Sequence, residues 1–279
     1  MQSVTDPQQM QRLSRELRRA GKRVGFVPTM GALHEGHLSL VRAARTQSDV
    51  VVASIFVNPL QFGPNEDFSK YPRTFESDKQ KLEIEKVDIV FAPTPDVMYP
   101  PGAKTVVEVA EISEKLDGRS RPGHFKGVTT VVAKLFGIVQ PDRAFFGQKD
   151  AAQVAIVKRM VRDLNMDVEI VVCPIVREPD GLAMSSRNVY LSAPERKQAL
   201  VLSRSLHRVR FLCDRGEKIA SALIAAGKEV VAEEPAVKLD YLELVDPDSL
   251  DPLEDVSKGA LVAIAAWVGT TRLIDNLVL

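Results

Sequence analysis

Apolar positions along this chain fall into two kinds of run, and the two alternate. Val24–Val27, Val50–Val57, Val87–Phe91, Ala144–Phe146 and Val168–Val172 are short, continuous and rich in branched residues, the pattern of strands buried on both faces. Between them, His37–Thr46, Phe75–Glu85, Val128–Val139 and Ala151–Leu164 space their apolar residues as helices do. An earlier helix is marked by its ends: Asp6 caps it, Pro7 takes the first turn, and Gly21 stops it. Met10, Leu13, Leu17 and Ala20 share its apolar face, while Arg12, Arg15, Arg18 and Arg19 fill the solvated side. Strands alternating with helices predict an α/β fold, a parallel sheet with crossover helices that binds its ligand at the strands' carboxyl ends.

After Met184 the order changes. Ser192 or Ala193 caps a helix with Pro194 in its first turn, and two helices follow over about Glu195–Arg215 and Glu217–Glu233. Lys238–Val245, Ala260–Val268 and Thr271–Val278 then read as consecutive strands joined by short turns. Helices followed by strands predict a smaller α+β domain. The change of pattern places the boundary within 173–190, giving domains 1–178 and 179–279. A length of 279 residues suits two such units at ~150 residues per domain.

Composition narrows the function. Lys and Arg total 37 and Asp and Glu total 37, so the net charge is zero. That removes any general electrostatic case for nucleic-acid or membrane-surface binding. Cys173 and Cys213 are too few for a disulfide framework or a multi-cysteine zinc site. The longest apolar runs fall short of the ~20 residues needed to cross a bilayer. Met1-Gln2-Ser3-Val4 shows no basic stretch followed by an apolar one. The expectation is a cytoplasmic protein.

The segment Pro28-Thr29-Met30-Gly31-Ala32-Leu33-His34-Glu35-Gly36-His37 follows the first of these strands and opens a helix. A glycine-containing loop at a helix N-terminus offers free backbone N–H groups to a phosphate. Two imidazoles three residues apart can both address that phosphate and donate to it as charge builds. A zinc pair is a second reading, though it needs further ligands, and two surface histidines are a third. Gly181-Leu182-Ala183-Met184-Ser185-Ser186-Arg187-Asn188 is hydroxyl-rich with one cation, suited to phosphate or to a solvated linker.

His-x-Gly-His in this place resembles the signature of the nucleotidyl-transfer superfamily that includes class I aminoacyl-tRNA synthetases. There Gly36 would let adenine or ribose lie close to the backbone. Met184–Asn188 is similar to that superfamily's Lys-Met-Ser-Lys-Ser loop. Three further stretches sharpen the match: Val57-Asn58-Pro59-Leu60-Gln61-Phe62-Gly63, Arg121-Pro122-Gly123-His124-Phe125-Lys126-Gly127-Val128 and Phe145-Phe146-Gly147-Gln148-Lys149-Asp150-Ala151-Ala152-Gln153. With these the chain resembles, over essentially its whole length, the pantoate–β-alanine ligase (pantothenate synthetase) family. Arg187 stands where the general synthetase loop has its second lysine, which favours this family over a tRNA synthetase.

The resemblance implies a Rossmann-like N-terminal domain, a smaller C-terminal lid, a homodimer and a two-step reaction. Pantoate and MgATP would give pantoyl adenylate and pyrophosphate, and β-alanine would then displace AMP. It implies that His34, His37, Lys149, Ser185, Ser186 and Arg187 serve the phosphates as the catalytic set. Met30, Gly36, Gly147 and Met184 would line the ATP site, and Asp150 would hold the ribose hydroxyls. Gln61 and Gln153 would bind pantoate, since each amide offers a donor and an acceptor, with Met30 and Asn58 beside them. Arg121, Tyr71 and Asp78 are minor candidates, Tyr71 and Asp78 for the ATP and magnesium surroundings. The metal ligands are left open, and His207 and Trp267 read as structural. Lys149 and Asp150 also fit an ordinary ion pair at a helix start, and Arg121, His124 and Lys126 a charged turn. Two other functions share parts of this pattern: a nucleotidyltransferase acting on an alcohol phosphate, and an RNA-binding protein on a synthetase-like fold.

Overall fold

The computed structural model describes residues 1–64, 66 and 68–279. Its first unit runs β1 (Gln2–Val4), α1 (Pro7–Arg19), β2 (Val24–Thr29), α2 (Glu35–Gln47), β3 (Val50–Ile55), α3 (Phe75–Ile84), β4 (Ile89–Phe91), α4 (Pro95–Met98), α5 (Asp117–Ser120), α6 (His124–Val139), β5 (Arg143–Gly147), α7 (Ala151–Asp163) and β6 (Glu169–Cys173). The six strands form one parallel sheet in the order β1-β4-β3-β2-β5-β6. This is the parallel α/β sheet that the strand–helix alternation predicts, and the Rossmann-like architecture that the resemblance implies.

Alternation along each strand explains why these runs are apolar throughout. Phe26, Val52 and Phe146 face a core built with α6 and α7. Their neighbours Val27, Val51 and Phe145 face the opposite core, with Leu40 and Val41 of α2 and Leu82 of α3. With both faces covered by helices, the central positions of these strands are apolar on both sides. The Asp6 carboxylate accepts from the Gln9 N–H at 2.6 Å, and Pro7 lies in the first turn of α1, as its signals predict. β1 is an addition: Gln2-Ser3-Val4 joins the sheet edge beside β4, and three residues are too few to carry a period. β2 also extends through Pro28 to Thr29. It pairs with β5 only at Gly25 and Phe26, and beyond them only with β3. The sheet therefore opens between the carboxyl ends of β2 and β5. The chain order reverses at that same place, where ligands bind in open α/β sheets.

The second unit comprises α8 (Ala193–Asp214), α9 (Ala220–Ala232), β7 (Val237–Val245), β8 (Leu261–Val268) and β9 (Thr271–Val278), the strands forming an antiparallel sheet β7-β8-β9. Ser192 caps α8, and the Glu195 carboxylate reaches back to the Ser192 N–H at 2.8 Å. One face of β8 (Val262, Ile264, Ala266) packs under α8 and α9, while Leu261, Ala263 and Ala265 join the core of the first unit. That double burial is why Ala260–Val268 is apolar without alternation. Arg272 bridges Asp117 and Asp240, both at 2.7 Å, tying β9 to α5 and β7. Among the described residues no helix is long and apolar enough to cross a membrane.

Candidate active site

The loop between β2 and α2 is shaped from behind. Gly31 and Ala32 both take left-handed backbone conformations, φ 83° and 51°. Asp78 of α3, fully buried, secures that turn. Its Oδ2 accepts from Ala32 N and its Oδ1 from Leu33 N, each at 2.8 Å, and the Thr74 hydroxyl donates to Oδ2 at 3.0 Å. Asp78 thus stands behind the loop with both oxygens committed, outside the cleft where ATP and magnesium surroundings were expected.

At the start of α2 the two histidines cap the helix reciprocally. His34 Nδ1 accepts from Gly36 N at 3.2 Å, and His37 Nδ1 accepts from His34 N at 3.4 Å. A ring nitrogen that accepts carries no proton, so each neutral imidazole is the Nε2–H tautomer. The ring centroids lie 4.1 Å apart. Burial, followed by the charge of Lys149, lowers the pKa of His34 to about 4. Burial, followed by His34 and Lys149, lowers that of His37 to about 3. Near neutral pH both are therefore uncharged N–H donors. Gly36 has a reason of its own here: a Cβ would stand 2.9 Å from the folded-back His34 ring.

Across the sheet opening, a short turn after β5 carries Lys149 and Asp150 into α7, with Gln153 in that helix's first turn. The Lys149 ammonium lies 3.8 Å from the Asp150 carboxylate, whose side chain is half exposed. The third segment folds back on itself after β6: Met184 N donates to Val176 O at 3.0 Å, and Glu178 N to Leu182 O at 2.8 Å. Ser185 Oγ accepts from Arg187 N at 3.3 Å, and Ser186 Oγ lies 3.4 Å from the hydroxyl of buried Tyr71. The Asn188 amide ties the end of this loop to Glu178 and to Ala183 O.

The fourth segment follows β3. Asn58 is buried, and each of its polar atoms is engaged. Its Oδ1 accepts from the Tyr99 hydroxyl at 2.8 Å and from Leu60 N at 3.3 Å, and its Nδ2 donates to Gly127 O and to Gln61 Oε1. Gln61 Nε2 points at the sulfur of Met30, 3.1 Å away. Gly127 permits this packing, because a Cβ there would overlap the Leu60 carbonyl. The Gln61 carbonyl accepts from His124 Nδ1 at 2.8 Å and from Arg121 at 3.3 Å. His124 Nε2 then faces Arg121 Nη1 at 3.0 Å as an acceptor, and burial and the neighbouring Arg121 charge lower the His124 pKa to about 4. Arg121 is itself paired with Glu66 at 2.7 Å, and Lys126 with Glu108 at 3.1 Å. What reads as a basic cluster is thus locally neutralised.

These segments line one cleft of about 230 Å³, which adjoins a hollow of about 970 Å³ between the two units. Every expected site residue lines the cleft except Asp78. Val128, Val131, Val132, Phe145 and Val176 form an apolar wall that sequence reasoning did not single out. α6 is apolar on nearly all sides, so nothing in its pattern separates core from cleft. Trp267, expected to be structural, is 41% exposed and lines the larger hollow.

Comparison with known proteins bears on the chain as a whole. The model of the family described as pantoate-beta-alanine ligase matches residues 2–278. The pantothenate synthetase of Koribacter versatilis is 63% identical over 279 residues, covering 100% of this chain and 96% of that protein. That of Thermotoga neapolitana is 57% identical, covering all of both chains. The crystal structure of pantothenate synthetase from Thermus thermophilus superposes with a TM-score of 0.92 at 49% identity, covering 99% of each chain. That of pantoate-beta-alanine ligase from Francisella tularensis, complexed with beta-gamma ATP and beta-alanine, superposes with a TM-score of 0.81 at 35% identity, covering 99% of this chain and 97% of that one.

Proposed function

The chain belongs to the pantoate–β-alanine ligase family, whose members join the two substrates with ATP as the driving reactant, and we propose how its cleft divides that work. A carboxylate is a poor electrophile, so pantoate is first adenylated on the α-phosphate of ATP, with pyrophosphate leaving. The demand on the protein is electrostatic: charge builds on the phosphate oxygens and on the leaving group. The paired capping of His34 and His37 is the observation that carries this reading. It fixes two neutral imidazoles with their Nε2–H groups available to the cleft, where they gain strength as charge develops. Lys149 and Arg187 follow the pyrophosphate with full charges, and Ser185 and Ser186 add hydroxyl donors. Asp150 takes the ribose hydroxyls, and Gly36, Gly147 and Met184 lie along the nucleotide.

Gln61 and Gln153 take pantoate's hydroxyl and carboxylate groups, with Met30 and the α6 wall against its methyl groups. Asn58 acts on pantoate through Gln61, since its own amide is committed to holding that side chain. In the second step the amine of β-alanine attacks the acyl adenylate and AMP leaves. None of the three imidazoles of the cleft offers an open lone pair: His34 and His37 accept backbone N–H groups, and His124 faces Arg121. The amine is therefore positioned rather than deprotonated by histidine.

Magnesium enters as the ion that accompanies ATP and offsets its charge. Among the described residues no group of three His, Cys, Asp or Glu side chains is placed to hold a metal. The buried carboxylate behind the loop, Asp78, already accepts from three donors. Such a donor set suits an ion held mainly by phosphate oxygens and water, and no step is assigned to it. Residues 1–178 would hold the substrates and 179–279 would close over them, in a cytoplasmic homodimer. Pantoate-dependent exchange of pyrophosphate into ATP tests the first step. Its absence, or exchange supported by an alcohol phosphate in place of pantoate, would overturn the proposal.

A further inference from the structure

β9 carries two consecutive polar side chains that the roles above do not use, Asp275 and Asn276, and both are buried, at 4% and 3% exposure. Side chains alternate across a strand. Asp275 shares the face of Leu273, which packs into the core of the second unit, and Asn276 shares that of Ile274, which packs on the first. Asp275 takes both Nη atoms of Arg177, at 2.6 and 2.9 Å, and Arg177 also donates to Gly181 O at 3.0 Å. That anchors the stem of the Ser185–Arg187 loop. Asn276 commits its whole amide to the turn after β5. Nδ2 donates to Gln148 O at 2.9 Å and to Lys149 O at 2.8 Å, and Oδ1 accepts from Gln148 Nε2 at 3.0 Å.

Neither side chain has an atom left over for a ligand. A buried amide is costly to desolvate, and an apolar residue would pack the same strand without that cost. What the amide adds is a fixed place for the Lys149 backbone relative to β9, and so relative to the loop that the adjacent residue anchors. Lys149 and Arg187 lie on different segments and must meet one triphosphate. A shared strand that grips both segments sets the distance between them.

We propose that Asn276 is a positioning residue for adenylation, acting through Lys149. The proposal rests on the assignment of Lys149 to the departing pyrophosphate. A displaced ammonium costs transition-state stabilisation far more than it costs ATP binding. Misplacement by about 1 Å is worth roughly 10²-fold in rate. Asn276→Ala should therefore lower the maximal rate of pantoate-dependent pyrophosphate exchange by about that factor. The Kd for ATP measured without pantoate should stay within about three-fold.

A purely structural residue could also slow the enzyme, so the deciding measurement is a double-mutant cycle with Lys149→Ala. If Asn276 acts through the ammonium, Asn276→Ala added to Lys149→Ala costs less than about three-fold further. Losses that multiply in the double variant overturn the proposal, as does an Asn276→Ala enzyme with wild-type exchange. A Lys149→Ala enzyme with intact exchange overturns the assignment of Lys149 itself, which is a separate result. Should Asn276→Ala fail to fold, Gln148→Ala removes the bond to Oδ1 and leaves the strand untouched. Its exchange rate should fall by several-fold in the wild type and not in the Lys149→Ala background, and the reverse outcome counts against the proposal.

Discussion

The His37 imidazole caps α2 and is proposed to donate to a phosphate, two tasks that substitution can separate. His37 Nδ1 accepts the His34 N–H at 3.4 Å, a long cap bond. Losing it should cost stability at the low end of the ~0.5–2 kcal/mol range for helix caps. The Nε2–H on the other side of the ring is the donor proposed for the phosphate. Removing a preorganised donor of that kind costs ~10²–10³ in rate, about 2.7–4 kcal/mol in the transition state. His37→Ala should thus damage adenylation several times more than folding. Two amides divide the ring between them. The Asn amide oxygen falls near the position of Nδ1, whereas the Gln amide nitrogen reaches that of Nε2. His37→Asn should keep the cap and lose the rate, falling with His37→Ala by ~10²–10³. His37→Gln should lose the cap and keep the donor, staying within about ten-fold of wild type. Pantoate-dependent pyrophosphate exchange reads the rate, and urea midpoints read the cap. If His37→Ala exchanges within about three-fold of wild type, the imidazole is only a cap. If the Asn variant outperforms the Gln variant, the tautomer is wrong.

Lys149→Ala should lower kcat for adenylation with little change in the KM for ATP, if its charge follows the leaving group as proposed. A raised KM at constant kcat would instead mean uniform binding. Gln61→Ala and Gln153→Ala should each raise the KM for pantoate by roughly ten-fold, since an unpaired polar group in a dry pocket costs ~1–3 kcal/mol. The ATP Kd without pantoate should hold, and equal weakening toward both substrates would point to a distorted site. The pH dependence follows from three histidines that fold with pKa values of about 4, about 3 and about 4, against an ordinary 6.5. The unfolded chain binds more protons than the folded one in the window between these values. Stability is therefore fully present above about pH 6.5 and falls as pH drops toward about 4. Resistance to urea should fall between about pH 7 and about pH 5, less so in His124→Gln. The adenylation rate should show no inflection near pH 6.5 from His34 or His37. Such an inflection, lost in His34→Gln, would mean a charged imidazole at work.

The parts of this protein legible in its sequence are those where local chemistry and local structure coincide. The β2–α2 loop announces itself because two histidines and two glycines at a strand-to-helix junction are uncommon and have an immediate use. The sheet was legible because burial on both faces forces an apolar run. β1 was not, since its pairing with β4 is a long-range event that Gln2-Ser3-Val4 does nothing local to signal. Asp78 shows a subtler limit. The resemblance makes it a minor candidate for the ATP and magnesium surroundings, but nothing local signals that it serves the β2–α2 loop from behind, because the backbone N–H groups of Ala32 and Leu33 lie 46 and 45 residues away. Asn58 is the same case at short range. Asn-Pro-Leu-Gln reads as two amides for one ligand, and it folds into one amide held in place by the other.

That division follows from what each kind of residue must satisfy. A ligand-facing group keeps a free donor or acceptor, so its residue type is dictated by the substrate and looks out of place on a strand end or loop. A supporting group is dictated by another part of the same chain. Asn276 meets Gln148 across 128 residues of sequence, and in the strand pattern Thr271–Val278 it passes for an ordinary solvent-side position. Only when the fold buries it does its amide become costly, and therefore informative. The same logic applies to Arg121. As a sequence feature it is a cation beside a histidine, free to reach a carboxylate substrate. In the folded chain Glu66 already takes that charge, and the guanidinium and His124 converge on the Gln61 carbonyl. Its effect on pantoate should then run through the Gln61 backbone.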